Sequence, residues 1–251
     1  MHVSGLTDTG QVRNHNEDVL FHSTEPVGPL PNLFIVADGM GGHNAGEVAS
    51  SKSLEHCCNF IRNSTDPVSA TPNDIRDILV AAAQQANRNV FELSVSNREY
   101  SGMGTTFSAC AIIGNTLVVA HIGDSRIYTI SPGGITQITT DHTYVEEMVQ
   151  AGKISRSEAR THPRRNVLTK VLGCDPMTAA DGTIHSLEGV DSVLLCSDGL
   201  TDMITDEQIL EIVTQNTSIE ARSEVLINAA NQEGGRDNIT AIIIDVKGDA
   251  H

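Results

Sequence analysis

Short apolar runs separated by polar, glycine-rich breaks dominate this chain, and helical periodicity interrupts them in only a few places. Segment 33–37 is continuous in Leu, Phe, Ile, Val and Ala, and segment 191–197 is built around Val193-Leu194-Leu195-Cys196. Both are too short for a buried helix and predict buried strands. Further strands are predicted at 2–8 and 18–22, around a polar turn, at 182–187, and at 239–246. The runs 105–113, 116–122, 126–130 and 135–138 are divided by Gly-Asn, Gly-Asp and Pro-Gly-Gly, and predict an antiparallel meander.

Helical signals fall between these strand groups. Residues 44–62 predict a helix with Asn44 as N-cap and Glu47 three positions on. Thr71-Pro72-Asn73-Asp74 supplies a cap, a first-turn proline and an early acid. Ile75, Ile78, Leu79, Ala82, Ala86, Val90 and Leu93 then recur at helical spacing. Thr205-Asp206-Glu207-Gln208 is a capping box, and a last helix is expected over about 218–232. Residues 141–173 are charged, with short helical stretches and Pro163, and predict a surface flap beside the core. Strands group with strands and helices with helices. The expectation is an α+β fold of antiparallel sheets covered by helices, one domain over residues 1–251.

Composition narrows the function. Aromatic residues make up only 3%, without Trp, so the core is built from aliphatic side chains. The formal net charge of -16 argues against nucleic acid or an anionic membrane as main partner. Five cysteines without paired spacing read as small buried thiols in a reducing compartment. No apolar stretch is long enough to span a membrane, and Met1-His2-Val3-Ser4-Gly5 does not open a secretory signal. A soluble cytoplasmic protein is expected.

The candidate chemistry lies at strand ends. Asp38-Gly39 follows the 33–37 run, Asp198-Gly199 follows the 191–197 run, and Gly234-Gly235-Arg236-Asp237 precedes the last strand. A single Asp-Gly after a strand reads as a turn. Three such placements, with no matching Cys or His set, point to a hard-cation site of oxygen ligands. Ile122-Gly123-Asp124-Ser125-Arg126 reads from spacing as a tight hairpin, and Arg13-Asn14-His15-Asn16-Glu17-Asp18 taken alone as a solvated loop. His43 follows the first Asp-Gly in a glycine-rich loop where it could donate a proton, while His142 and His162 fall in the flap. There is no GxSxG elbow and no GxxxxGK[ST] loop, which leaves acyl transfer and P-loop chemistry without support.

Taken in order, these segments resemble the metal-dependent (type 2C) Ser/Thr protein phosphatase family, in its compact bacterial form. The matching stretches are 12–18, Val36-Ala37-Asp38-Gly39-Met40-Gly41-Gly42-His43, Gly102-Met103-Gly104-Thr105-Thr106 and His121-Ile122-Gly123-Asp124-Ser125-Arg126. Thr140-Asp141-His142, 162–169, Cys196-Ser197-Asp198-Gly199-Leu200 and 235–240 follow. The resemblance implies a four-layer αββα sandwich with a two-metal centre at one edge, using Mn2+ or Mg2+. It implies that Asp38 is shared by both metals, that the Gly39 carbonyl binds one, and that Asp198 and Asp237 bind the other. It implies that Glu17 and Asp18 act through metal-bound water and that Asp124 serves a weaker third metal. Arg13 is implied to hold the substrate phosphate. Animal relatives carry His directly after the Asp-Gly as a proposed general acid, whereas this chain has Met40, so the proton donor lies between metal-bound water and His43.

The implied reaction is hydrolysis of phosphoserine and phosphothreonine in proteins by in-line attack of metal-activated water, without a phosphoenzyme. The implied partners are phosphorylated proteins, substrates of a cognate Ser/Thr kinase, acted on by a monomer. Two alternatives stand beside this reading. One is a related hydrolase of a non-protein phosphoester, and the other a catalytically silent regulatory binding protein.

Overall fold

Alternation within the apolar runs decides the layering. The computed structural model describes residues 1–42, 44–65 and 71–246. In β3 (Leu33–Met40), Phe34 and Val36 join one core while Leu33 and Ile35 join another, as the two-residue period of a strand requires. β5 (Phe107–Ile113) and β6 (Thr116–Ile122) divide in the same way, with Cys110, Leu117 and Val119 on one face and Ala109, Ala111, Val118 and Ala120 on the other.

Two antiparallel sheets result. One runs β2 (Asp18–Ser23), β3, β5, β6, β9 (Asp181–Ser186), with the short β4 (Gly104–Thr105) paired to β3. The other runs β1 (His2–Asp8), β11 (Ile239–Asp245), β10 (Ser192–Cys196), β7 (Arg126–Ser131), β8 (Gly134–Gln137). Phe34, Val36 and Val119 meet Ile127, Val193, Leu195, Ile242 and Ile244 between the sheets. The outer face of the first sheet is covered by α1 (Ala45–Arg62) and α2 (Pro72–Ser96) through Ala49, Ile61, Ile75 and Leu79. The outer face of the second is covered by α6 (Asp206–Val213) and α7 (Ile219–Gln232) through Ile209 and Leu226. Each fully buried aliphatic side chain contributes roughly 1.5–3 kcal/mol. The three apolar layers therefore hold the expected αββα sandwich together.

Local signals account for most helix starts. Thr71 and Asp74 form a reciprocal capping box before α2, as do Thr205 and Gln208 before α6. Asn44 differs from expectation: it occupies the N-cap position of α1 without a side-chain cap bond. Its φ of -95° and ψ of 12° are not the extended geometry a cap needs, and a backbone bond from Ala45 N–H to the Gly42 carbonyl closes this turn instead.

The predicted meander is the main correction. β6 pairs with β5 and β9, whereas β7 pairs with β8 and β10, so the chain changes sheets between Ile122 and Arg126. Gly123 sits at φ 103° and donates its N–H to His142 Nδ1, and the Ser125 hydroxyl bonds to Thr106. These groups are satisfied by other loops rather than by each other, which is why no hairpin closes. The crossing leaves Asp124 at the seam between the two sheets.

Residues 141–173 contain α3 (Tyr144–Gln150) and α4 (Arg156–Thr161), largely solvent-facing. The stretch rejoins the core at its end, where Leu172 is fully buried and exchanges both backbone hydrogen bonds with Thr105. Among the described residues no helix is long and apolar enough to cross a membrane. Cys57, Cys58, Cys110 and Cys196 are buried free thiols, and Cys174 is exposed.

Candidate metal centre

Asp38 lies within β3 rather than in a turn beyond it, directly opposite Asp18 in the β2–β3 register. Opposed residues of an antiparallel pair project from the same face, so both carboxylates share one side of the sheet. The Asp38 backbone is held by the next strand. Its N–H donates to Thr106 Oγ1 at 2.9 Å, and its carbonyl accepts from Thr106 N–H at 2.8 Å and Thr105 Oγ1 at 2.9 Å.

The glycine after each aspartate is a packing requirement. A Cβ on Gly39 would lie 2.1 Å from the Gly46 carbonyl oxygen, and one on Gly199 would lie 1.9 Å from that of Asn238. Asn238 follows Asp237, so the contact at Gly199 brings the two later aspartate segments together. Asp198 opens the short helix α5 (Asp198–Thr201), which sequence reading did not anticipate. Asn238 also fixes the N-terminal loop: its Nδ2 donates to the Thr9 and His15 carbonyls, and its Oδ1 accepts from Glu17 N–H at 2.8 Å.

Electrostatics single out this corner. Burial, followed by the charges of Asp18, Asp198, Asp124 and Asp237, holds the Asp38 carboxyl well above the usual carboxylate range. Asp198 is raised likewise, by burial and then by Asp124, Asp202, Asp237 and Asp18. Burial is the largest cause at Asp18, pushed up to about 6, and at Asp124, pushed up to about 7 with Asp141 as the next contributor. Glu17 is raised mainly by burial. Among the described residues, none of Asp18, Asp38, Asp124 and Asp198 forms an ion pair with a Lys or Arg. Asp18 Oδ1 and Asp198 Oδ1 are buried without a hydrogen-bond partner.

Uncompensated, all-oxygen donors with orphaned lone pairs fit a hard divalent cation. Among the described residues, no group of three His, Cys, Asp or Glu side chains is arranged to hold a metal ion as it stands. Part of the donor set is engaged elsewhere: Asp237 Oδ2 accepts from Arg13 at 2.7 Å and Asp237 Oδ1 from Asn238 N–H at 2.9 Å. An open site also suits an ion such as Mg2+, which keeps several waters and takes only one or two carboxylates.

The sequence-derived candidates therefore divide. Asp18, Asp38, Asp124, Asp198 and Asp237 feel one another's charge, and Glu17 borders them. Arg13, expected at the phosphate, is paired with Asp237. His43 lies outside the described residues. Sequence reading gave no role to Thr105, Thr106, Ser197, Asn238 and Thr240, whose polar groups hold this corner. Their adjacency to the motif aspartates was the available signal.

A cavity of about 600 Å³ adjoins the site and is lined by Asp124, Arg126, Asp141, Arg156, Arg165 and Asp198, among others. Arg165 of the 141–173 stretch pairs with Asp202 at 2.7 Å across it. A wider depression of about 950 Å³ lies between α1 and α2, with none of the candidate residues in its lining.

Comparison with known proteins shows the family and agrees with the fold. Residues 10–240 match the family model described as protein phosphatase 2C. The chain belongs to the protein phosphatase 2C family. The protein phosphatase PhpP of Streptococcus pneumoniae is 37% identical over 247 residues, 98% of each chain. The S. agalactiae serine/threonine phosphatase structure has a TM-score of 0.90 at 36% identity, covering 98% of this chain and 99% of that one. The catalytic domain of the serine threonine protein phosphatase PstP, solved in complex with two manganese ions, has a TM-score of 0.82 at 33% identity over 97% of each chain.

Proposed function

We propose that this protein hydrolyses phosphoserine and phosphothreonine esters in protein substrates at a divalent-cation centre built on Asp38, Asp198 and Asp237. The observation that carries the reading is the cluster of buried carboxylates that raise one another's proton affinity while Asp18 Oδ1 and Asp198 Oδ1 have no partner. Asp38 and the Gly39 carbonyl would hold a first cation; Asp38, Asp198 and Asp237 a second; Asp124 a weaker third. Glu17 and Asp18 would orient the waters around them. Mn2+ and Mg2+ suit this donor set. When bound, such cations acidify a water molecule toward neutral pH and neutralise charge on the phosphoryl oxygens.

The chain's own groups supply the rest. Arg13 presents a planar guanidinium at the mouth of the site, half-exposed and already paired with a carboxylate, a geometry equally suited to a phosphoryl group. Asp18 and Glu17 are carboxylates at the edge of the site and would accept hydrogen bonds from ordered water there. The proton donor to the departing serine or threonine oxygen is water or His43. Residues 141–173 act as a flap on a single domain of 1–251, and Arg164, stacked 3.6 Å over Tyr144, and Arg165 would meet the protein part of a substrate. The setting is the cytoplasm, opposite a cognate Ser/Thr kinase, with the phosphatase as a monomer.

Phosphate release from a phosphothreonine peptide, followed after chelation and after adding back Mn2+ or Mg2+, tests the reading. Release should vanish with chelator and return with either ion. Undiminished release after exhaustive chelation would contradict it.

A further inference from the structure

Ser197 and Thr240 are both fully buried, and both donate to one oxygen of one carboxylate. Ser197 Oγ reaches Asp18 Oδ2 at 2.7 Å and Thr240 Oγ1 reaches the same atom at 2.6 Å. A hydroxyl has a single proton, so the 2.7 Å contact between Thr240 Oγ1 and Thr7 Oγ1 must run from Thr7 to Thr240. Thr7 accepts in turn from Asn16 Nδ2 at 2.9 Å, and Ser197 Oγ accepts from Thr240 N–H at 3.0 Å. The proton directions are thereby fixed. One relay runs Asn16, Thr7, Thr240, Asp18; the other runs from the Thr240 amide through Ser197 to Asp18. Both end on Oδ2, while Asp18 Oδ1 is buried without a hydroxyl or amide donor and the Asp38 carboxyl is the remaining neighbour of this group.

A buried carboxylate kept only for structure would have donors on both oxygens, because each unmet lone pair costs free energy. Here the donors are concentrated on one side. Asp18 stands opposite Asp38 in the β2–β3 register, Ser197 immediately precedes Asp198, and Thr240 lies three residues after Asp237. The two hydroxyls thus join the three strands that deliver the acidic corner.

We infer that Ser197 and Thr240 are positioning residues of the cation centre: they saturate Asp18 Oδ2 and so keep Oδ1 as the free acceptor for water bound to a cation beside Asp38. This rests on the cation site proposed above. Neither hydroxyl touches substrate. Their contribution is orientation of a carboxylate that would otherwise rotate to share its donors between both oxygens.

The test is a calorimetric titration of Mn2+ into the chelator-stripped full chain, for the wild type and for Thr240→Val, Thr240→Ser and Ser197→Ala. Outer partners of metal ligands typically govern affinity by about 10–100-fold, and because these hydroxyls act one step further out, through Asp18 and its water, the low end of that range applies. Thr240→Val and Ser197→Ala should each weaken Mn2+ binding by about tenfold. Thr240→Ser, which keeps the hydroxyl, should bind nearly as the wild type does. Turnover of an aryl phosphate should fall in step with affinity at fixed Mn2+, with KM for the phosphate ester unchanged. Affinities of Thr240→Val and Ser197→Ala within about twofold of wild type would overturn the assignment. Equal losses in Thr240→Ser and Thr240→Val would also overturn it, since the methyl packing rather than the hydroxyl would then be responsible. A wild type that takes up no Mn2+ would instead remove the cation site itself. If Thr240→Val does not fold, Ser197→Ala is judged by the same affinity criterion.

Discussion

Asp141, Asp181 and Asp245 each meet a cation supplied by the chain, whereas Asp18, Asp38, Asp124 and Asp198 meet one another. Arg126 forks onto Asp141, with Nη2 to Oδ2 at 2.7 Å, and the nearly buried Arg222 forks onto Asp245 with Ser192 completing the set. Burial alone would raise Asp181, but its bonds to Lys170 and His142 outweigh it and its pKa falls. At the strand ends the balance is reversed, and burial and mutual repulsion raise the carboxyls. The same residue type is therefore structural where a guanidinium or ammonium is within reach. Where acidic neighbours and burial outweigh any nearby cation, the folded chain bears an electrostatic penalty that a bound cation would relieve.

Substitutions at the two kinds of site should have opposite signatures. Asp38→Asn, Asp198→Asn and Asp237→Asn should each lower turnover by on the order of 10²–10³ or more, as loss of a key electrostatic group does. In chelated protein, Asp38→Asn and Asp198→Asn should raise the unfolding midpoint because a repelling charge is gone. Steady-state kinetics beside thermal unfolding checks both halves. Near-wild-type rates in any one of the three would remove that residue from the site.

At the compensated kind of site the cost appears in stability. Asp245→Asn strands the buried guanidinium of Arg222 and should destabilise the fold by about 3 kcal/mol, the scale for breaking a buried pair. Turnover of the remaining folded protein should be unchanged. Urea unfolding measures the first and kinetics on folded protein the second. A loss of turnover without loss of stability would place Asp245 in the wrong group.

Arg13 lies between the two regimes, since it pairs with Asp237 at the edge of the uncompensated cluster. Removing it should cost the charge-assisted contact to phosphate, roughly 1.5–3 kcal/mol, or about ten- to hundred-fold in kcat/KM. Arg13→Lys should recover only part, because a point charge does not reproduce the planar fork. Mn2+ affinity should not fall in Arg13→Ala, because Asp237 is released rather than lost. Calorimetry showing abolished metal binding would contradict the assignment.

Much of this was legible in the chain, for identifiable reasons. Thr205 with Gln208 forms the capping box it predicts, and Thr71, expected as a cap, forms one with Asp74 as well. The apolar runs 33–37 and 193–196 became strands because an apolar run of that length is buried on both faces. The change of sheet at Gly123–Ser125 was not legible. Its Gly-Asp turn signal is the same as a hairpin's, and only the distant partners Thr106 and His142 distinguish the two. Ser197 and Thr240 were hidden for a related reason: a single hydroxyl has no periodicity, and its role depends on a carboxylate far away in sequence. Asp18 and Asp38 were legible as acids but not as a cross-strand pair, which depends on register.

The smallest expected effect is the pH dependence of a single member. The folded pKa of Asp124 stands at about 7, above that of an unfolded aspartate. Between those two values the native state binds a proton that the unfolded chain does not, so this group's penalty is fully present above the folded pKa and fades as pH falls. Asp124→Asn should therefore raise the midpoint of chelated protein at about pH 8, and the gain should shrink toward about pH 5. A gain independent of pH would show that Asp124 is not destabilised as an anion.

Thermal unfolding of chelated protein with and without added Mn2+, in wild type and in the double variant Asp38→Asn with Asp198→Asn, tests the central claim most directly. A ligand at about 100 times its Kd stabilises by about 2.7 kcal/mol, and each kcal/mol moves the midpoint of a chain of this size by about 2–4 °C. Mn2+ should therefore raise the wild-type midpoint by about 5–10 °C and leave the double variant essentially unmoved. An unmoved wild type, or an equal rise in the double variant, would contradict the claim that this corner is left uncompensated to hold divalent cations.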